Sequence, residues 1–441
     1  INHAFIALIP KTDNATRVTQ FRPISCCNLL YKIISKVLAN RLRPVLEAII
    51  DPAQVAFVKS RSMADNIFLV HELIRKYSRK RNSPRCMLNV DLHKAYDSIS
   101  WDFLRWMLNV LGFPSIFSSW IMECITTTSF SISVNGRIYE HFEGKRGLRQ
   151  GDPLSPYLFV ICLEFFSRDL NGLKDNMLFN FHPSCAALNI THLAFADDLV
   201  LFSRGDYSSV ATIYSKLTRF CNVSGLSISH QKPSIFASRV DNASMDDLLV
   251  LTGFQPGTFP VQYLGIPLMA SRMNICHYSL LLNRIGGHIQ NWHRKSLYYA
   301  SRLELIRGVI GGMVNFWLGL FPLPVAVIDR IDAFCRNFLW GKGELGRKKP
   351  LVAWKTVCSP NEEGGLGLHV LKDWNRALLS KVFWDIAANK ETLWVRWIHH
   401  FYLKGGSAWL YTCSKSDSAL IKRIFCIRDA MILREGNVVQ A

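Results

Sequence analysis

The sequence predicts an α+β chain whose strands are confined to the first 270 residues. Three observations carry this. Short apolar runs are broken by turn residues, most plainly at Asn135-Gly136 and Asp197-Asp198. Amphipathic helical spacing fills the stretches between those runs. After about residue 271 the strand signals stop, and helical, basic segments rich in tryptophan take over.

Residues 1–60 open with the strand-like "AFIALIP". The next stretch, "FRPISCCNLLYKIISKVLANRLRPVLEAII", has helical spacing at Leu30, Ile33, Ile34, Val37 and Leu38. Its basic face holds Lys32, Lys36, Arg41 and Arg43. A second helix starts near Ser62, with Asp65 three residues on as in a capping box. Ile67, Val70, Ile74 and Tyr77 form its stripe. It closes in the run "RKYSRKRNSP", where cations suit a helix C-terminus. A solvated face or an RNA contact explains that run equally.

"CMLNVDLHKAYDSISWDFLRWML" gives a strand ending on Asp91 and a helix from about Trp101. "SFSISVNGRIYEHFEG" reads as a hairpin about Asn135-Gly136. In "GKRGLRQGDPLSPYLFVICLEFFSRDL" a glycine-rich loop feeds a helix. Ser155 is the expected cap and Pro156 the first residue; Leu158, Ile161, Cys162 and Phe165 are the buried stripe. "THLAFADDLVLFS" follows, then a helix over about 207–223 and the short segments "GLSISHQKPSIFAS" and "YLGIPL".

With 441 residues, 49% of them hydrophobic, the chain supports a large core, which excludes global disorder. A formal charge of +19 points to nucleic acid, or alternatively to an anionic membrane surface. The twelve cysteines are scattered, without C-x-x-C or zinc-like spacing, so buried reduced thiols and an intracellular site are expected. Residues 308–328 have the length of a membrane span, but Pro322 and Pro324 break them; a buried helix ending before Pro322 is the better reading. The start "INHAFIALIP" reads as a fragment of a longer product, without a signal peptide.

The acids carry the chemistry. Asp91 ends one predicted strand, and Asp197 and Asp198 stand where another turns. Carboxylates at strand ends in an apolar setting are costly unless paired or metal-bound. An Asp-Asp pair alone fits a plain turn. Three carboxylates converging suit Mg²⁺, and two such ions can activate a 3′-hydroxyl and stabilise a leaving pyrophosphate. On a strand the neighbours Asp197 and Asp198 face opposite ways, and Asp197 is taken as the firmer ligand. Tyr96, five residues after Asp91, either returns a ring to that floor, where it crowds a ribose 2′-hydroxyl, or packs in the core. Asp97 can cap the next helix. In "GLRQGDPLSP", Gly147 and Gly151 allow close backbone approach, while Arg149 and Gln150 can touch phosphates or a base pair.

Taken together these strings resemble the reverse transcriptase of plant non-LTR (LINE-type) retrotransposons, over essentially the whole chain. "FRPISCCNLLYKIISKVLANRL" and "QVAFVKSRSMADNI" look like its finger segments. "LNVDLHKAYDSISW", "GLRQGDPLSPYLFVICLE" and "LAFADDLVLFS" look like its catalytic, template–nucleotide and F-A-D-D motifs. "SGLSISHQKPSIF" resembles the lysine-bearing motif, and "YLGIPL" the grip on the primer end.

The resemblance implies a right-hand polymerase fold. Fingers and palm would occupy residues 1–270, with an antiparallel palm sheet bearing helices on one face. A helical thumb would span 271–345, and a tryptophan-rich, mainly helical region of unknown role 346–441. It implies Asp91, Asp197 and Asp198 as ligands of two Mg²⁺ (or Mn²⁺) ions and Tyr96 as the sugar gate. Gln150 and Gly151, with Phe195, would line the nucleotide pocket. Arg61 would touch the triphosphate, and Lys232 would be the proton donor to pyrophosphate. Trp292 and Arg294 would track an RNA–DNA hybrid of template and primer. The implied substrates are dNTPs, in nucleus and cytoplasm, with no membrane and no structural zinc; the family's endonuclease and ribonuclease H regions are not seen. Departures are Ser60 and Ser301 for the usual Gly, Ser229 for Asn and Pro233 for Ser. They raise a rival: a non-catalytic RNA-binding remnant. An intron maturase would need a splicing domain, and an RNA-dependent RNA polymerase is disfavoured by Tyr96.

Overall fold

The computed structural model of the chain describes residues 2–12, 14–75, 77–78, 83–229, 233–271, 273–341 and 351–436. It groups residues 1–66 and 76–264 into one compact unit, and residues 67–75 and 265–441 into a second. The sequence suggested three regions, divided near 270 and 345.

In chain order the first unit begins with β1 (His3–Pro10), β2 (Phe21–Cys27) and α1 (Leu29–Ile49). Helix α2 (Met63–Ile74) follows, and from residue 67 it groups with the second unit. Then come β3 (Arg85–His93), the single turn α3 (Ala95–Ser98), α4 (Trp101–Val110) and α5 (Ser115–Thr126). Next are β4 (Ser129–Val134), β5 (Arg137–Glu143) and α6 (Ser155–Asn171). The unit continues with β6 (His192–Phe195), β7 (Asp198–Ser203), α7 (Tyr207–Ser224) and β8 (Ser227–Ile228). Strand β9 (Ser234–Ser238), helix α8 (Asn242–Thr252) and β10 (Gln255–Pro256) close the main sheet.

Two sheets result. The outer one has the order β2-β1-β4-β5. Its β4–β5 hairpin turns at Asn135 and Gly136, both at positive φ, as the Asn-Gly signal predicts. The main sheet has the order β10-β9-β3-β7-β6, with β8 also on β3. It is antiparallel, as expected, from β9 through β3 and β7 to β6, with a short parallel pair at β9–β10; the outer sheet has a parallel pair at β1–β4.

Both faces of the main sheet carry buried apolar residues: Met87, Leu193, Val200, Phe202 and Phe236 are buried on the face that Asp91 and Asp198 share, and the other face packs on helices. Leu88, Val90, Leu92, Leu199, Leu201 and Ile235 enter a core with Leu104, Leu158, Phe159, Ile213 and Leu217 from α4, α6 and α7. Alternation sends the intervening residues Asn89, Asp91, Asp198 and Val200 to the opposite face. Helix α6 is buried nearly all round from Leu158 to Leu163, so it is a central core helix rather than one with a single stripe.

Three local expectations are corrected. In α1 the buried residues are Tyr31, Ser35, Leu38, Ala39, Leu42 and Leu46, whereas Leu30, Ile33, Ile34 and Val37 are roughly half exposed. The helix has two apolar stripes, and the one with small residues, Ser35 and Ala39, allows close packing. Helix α6 is not capped by Ser155: Leu154 is its N-cap residue and Pro156 its second residue. Asp152 Oδ1 instead accepts from Leu154 N at 2.9 Å. Ser100, not Asp97, caps α4 through Phe103 N.

The second unit is helical. Among its helices are Ser279–His293, Gly311–Leu320, Val325–Trp340, Leu371–Ala387 and Ala419–Glu435. Tyr299–Leu320 is long and apolar enough to cross a membrane, and a third of that window is buried. As expected it stops before Pro322. Buried Asn375 holds the break: its Nδ2 donates to Leu318 O and Phe321 O at 2.6 and 3.0 Å. Phe383, Trp394 and Phe425 are fully buried, Phe383 against Phe425 at 6.0 Å and Trp394 against Phe68 of α2 at 5.3 Å.

Ser60, where the resembled family has Gly, sits at φ 65°. A left-handed backbone costs a non-glycine residue about 1 kcal/mol. Ser60→Gly is therefore expected to stabilise the first unit by about that amount, raising its melting temperature by roughly 2–4 °C in calorimetry.

Candidate active site

Strands β3 and β7 pair so that Asp91 lies directly opposite Asp198. Directly opposed residues of an antiparallel pair share a face, with Cβ atoms about 4.5–5.5 Å apart. The two carboxylates thus stand together on the sheet face away from the core. Phe195 is opposite Asp198 on the other side, so Asp91, Asp198 and Phe195 form one row. Ala196 and Asp197 are the two loop residues between β6 and β7. Asp197 is the second residue of this two-residue hairpin loop, and Asp198 is the first residue of its second arm. Because the loop takes Asp197 off the strand, the register pairs Asp91 with Asp198 rather than Asp197.

A polar cleft of about 410 Å³ opens on this row. Its lining includes Asn89, Asp91, Asp198, Ser234, Gln262 and Tyr263. Burial raises the Tyr263 phenol well above its ordinary range, and the nearby Asp198 charge acts in the same direction. Tyr263 belongs to the "YLGIPL" string, but nothing in its spacing singles it out.

Tyr96 stacks on Phe159 of α6 at 4.8 Å, 15° from parallel. Burial, and next the charge of Asp197, raise its phenol far above the usual tyrosine value. So Tyr96 is both a core-packed ring and a neighbour of the aspartate turn; the two sequence readings are not exclusive. The glycine loop is knitted to the same place. Leu148 N donates to Tyr96 O at 2.6 Å and Gly147 N to Ile99 O at 2.8 Å. Gly147 has φ 86°, and a Cβ there would lie 2.5 Å from Asp97 O. At Gly151, φ is 104° and a Cβ would meet Ser25 O of β2 at 3.1 Å. Neither position accepts a side chain without backbone movement.

Gln150 reaches the same region: its Nε2 donates to Asp97 Oδ1 at 3.3 Å. Burial raises the Asp97 carboxyl; the Gln150 bond opposes this, as do Lys94, Lys11 and His93 in turn. Those three cationic or titratable groups near the loop were not singled out from sequence. The loop also lines a cleft of about 310 Å³ with Lys145 and Arg146.

Two arginines expected at the substrate are occupied elsewhere. Arg61 donates to the carbonyls of Asp51, Gln54 and Ile50 at 2.5–2.7 Å and to Glu47 O at 3.3 Å. It closes the C-terminal end of α1, whose last carbonyls lack helical partners. Arg149 is 6% exposed. It donates to Asn2 Oδ1 and Cys124 O, stacks over Tyr31 at 4.0 Å and pairs with Asp152 at 3.9 Å. An arginine in sequence does not reveal whether its five donors will meet phosphate or carbonyl. Lys232 lies outside the described residues. Of the thumb residues, Trp292 packs on Phe338 at 5.5 Å and Arg294 is exposed.

As for metals, among the described residues no three His, Cys, Asp or Glu side chains form a ready-made cluster. The opposed pair Asp91–Asp198 nonetheless fits Mg²⁺, which takes one or two carboxylates and completes its shell with water and substrate phosphate.

Because Arg149 serves a buried network, Arg149→Met is expected to destabilise the first unit by about 3–5 kcal/mol, the cost of leaving Asp152 buried without its cation. Urea unfolding checks this.

Comparison with known proteins follows the same lines. Residues 9–268 match the family model described as "Reverse transcriptase (RNA-dependent DNA polymerase)". The chain is 27% identical over 381 residues to the Retrovirus-related Pol polyprotein of the type-2 retrotransposable element R2DM of Drosophila melanogaster, covering 84% of this chain and 34% of that protein. It is 29% identical over 449 residues to the R2 Pol polyprotein of Nasonia vitripennis, covering 98% and 42%. A putative ribonuclease H protein of Arabidopsis thaliana is 36% identical over 148 residues, covering 33% and 24%. The chain therefore spans well under half the length of these relatives. Among solved structures, apo telomerase of Candida tropicalis overlays with a TM-score of 0.45 at 12% identity, covering 96% of this chain and 69% of that one. That overlay is too loose to carry an argument. The family match covers more than half of the chain, which belongs to the reverse transcriptases, with the right-hand polymerase fold; its similarity to the R2 Pol polyproteins stands at 27–29% identity.

Proposed function

We propose that this chain extends a DNA 3′-end along an RNA template with dNTPs, by a two-metal mechanism, within a plant non-LTR retroelement. The observation that carries the reading is the Asp91–Asp198 pair, directly opposed on β3 and β7 and lining a polar cleft. Asp91 and Asp198, with Asp197 on the adjoining turn, would hold two Mg²⁺ ions, or Mn²⁺. Bound there, the ions would lower the pKa of the primer hydroxyl and neutralise charge on the triphosphate.

The chain's own residues do the rest. The carboxylates fix where the cations sit. Tyr96, wedged against Phe159, has no room to retreat and crowds a 2′-hydroxyl. Gln150 and the bare backbone at Gly151 let a base pair approach closely. With Arg61 and Arg149 engaged, Lys11 and Lys94 are the better candidates to face the triphosphate. A net charge of +19 favours the hybrid's phosphates. The Arabidopsis relative supports a plant host, and the work would take place in nucleus and cytoplasm.

A second reading, a non-catalytic RNA-binding remnant, draws on Ser60, which strains a turn that Gly would relax. Primer extension with Mg²⁺ on an RNA template separates the two. Extension is expected from the chain, and Asp91→Asn should lower it at least about a hundredfold, roughly 2.7 kcal/mol. RNA binding without extension would leave the remnant reading.

Tyr96→Ala is expected to lower the preference for dNTP over NTP at least about tenfold, or ~1.4 kcal/mol. Single-nucleotide incorporation measures it; an unchanged ratio would remove Tyr96 from the gate.

A further inference from the structure

The aspartate turn depends on a residue that is strained. Ala196 has φ 52°, buried at 6% exposure. Its neighbour in the loop, Asp197, is not at positive φ. A positive φ at the first loop residue alone is the II′ pattern, where glycine is the rule. Alanine pays about 1 kcal/mol to stand there, so something must hold it.

The structure identifies what does. The segment 53–55 lies alongside β6, the edge strand of the main sheet, with Gln54 bridged in parallel to Ala194. Ala194 N donates to Ala53 O at 2.9 Å, and Val55 N donates to Ala194 O at 3.2 Å. Asn66 Nδ2 donates to the same carbonyl at 3.0 Å. Gln54 is 1% exposed, and its Oε1 accepts from Ala56 N at 2.8 Å and from Ala196 N at 3.2 Å. Two backbone donors at one end of the carboxamide fix which atom is oxygen. Arg61 in turn grips the carbonyls of Asp51 and Gln54, which stiffens the brace from behind.

We propose that Gln54 is a positioning residue for the catalytic turn: by holding the Ala196 amide, it keeps a non-glycine residue in the left-handed backbone that sets Asp197 and Asp198. Gln54 touches no substrate and acts through Ala196. The proposal rests on the polymerase reading for what the aspartates do, but the brace itself is a property of the fold.

The test uses Mn²⁺ alone as probe, read by electron paramagnetic resonance on the intact chain, beside the Mg²⁺ dependence of primer extension. Gln54→Met keeps the length and removes the acceptor. It is expected to weaken Mn²⁺ binding about tenfold and to raise the Mg²⁺ needed for half-maximal extension by the same factor, leaving template–primer affinity unchanged. Adding Ala196→Gly is expected to bring both back to within about threefold of the parent, because glycine adopts the turn unaided. A general loss of folding support would not be repaired at that one position. Unchanged Mn²⁺ binding in Gln54→Met, or a defect that Ala196→Gly does not restore, overturns the proposal. If Gln54→Met does not fold, hydrogen exchange on the parent chain decides. Protection over 193–198 matching that of 53–56 supports the brace, and exchange at the rate of an open turn overturns it. If Asp197→Ala and Asp198→Ala both leave Mn²⁺ binding intact, the metal reading of the turn fails, and the brace is still judged by the exchange data.

Discussion

Everything at the candidate site follows from placing two carboxylates side by side on a sheet. Asp91 and Asp198 are directly opposed on β3 and β7. Like charges in that relation repel, by roughly 0.2–1 kcal/mol in an exposed pair. The arrangement persists because register is not free to slip. A shift of one residue in either strand would turn that strand's aspartate toward the helix-packed core, where an unpaired carboxylate is costly. The helix-packed face therefore dictates where the acids stand. Function on one side of the sheet is enforced by packing on the other.

The same logic explains why so much of the unit was legible in sequence. Strands alternate, so an aspartate that breaks an apolar run marks the open face, and Asn135-Gly136 names its own turn. Helices α4 and α7 follow from spacing because each buries a continuous stripe. Legibility failed where several faces compete or where a polar group has more than one possible partner. Helix α1 carries apolar residues on two stripes, and only packing against the rest of the unit selects the stripe containing Ser35 and Ala39. Arg61 and Arg149 sit in strings that match a substrate loop, yet their donors are spent on carbonyls and on Asp152. Gln54 shows no periodic signal, since its partner lies 142 residues away.

Those displaced arginines change the electrostatic picture. A guanidinium that is buried against carbonyls is a mechanical part. Burial lowers the Arg61 pKa from its ordinary value, the direction expected when charge is kept from solvent. The positive potential available to a phosphate must then come from groups with hydrated heads. Lys11, Lys94 and His93 all act on Asp97, which itself accepts from Gln150. That places the mobile cations around the glycine loop rather than in the clamp behind it.

The division has a mechanical consequence. A hairpin proposed to bear two metal ligands has to be rigid, because a carboxylate displaced by a fraction of an ångström leaves the coordination distance of a small, exacting cation. Rigid support near the turn cannot come from β7 alone, since β6 is the edge of the sheet and its outer hydrogen-bonding groups would otherwise face outward. The segment 53–55 fills that edge, Asn66 adds a second donor to Ala194, and Arg61 locks the segment to the end of α1. The string "QVAFVKSRSMADN" thus reads as one supporting structure rather than as a set of substrate contacts. Its arginine, glutamine and asparagine are polar because the backbone they hold is polar; Gln54 and Asn66 are buried and Arg61 half-buried, so that water competes less for the bonds they make.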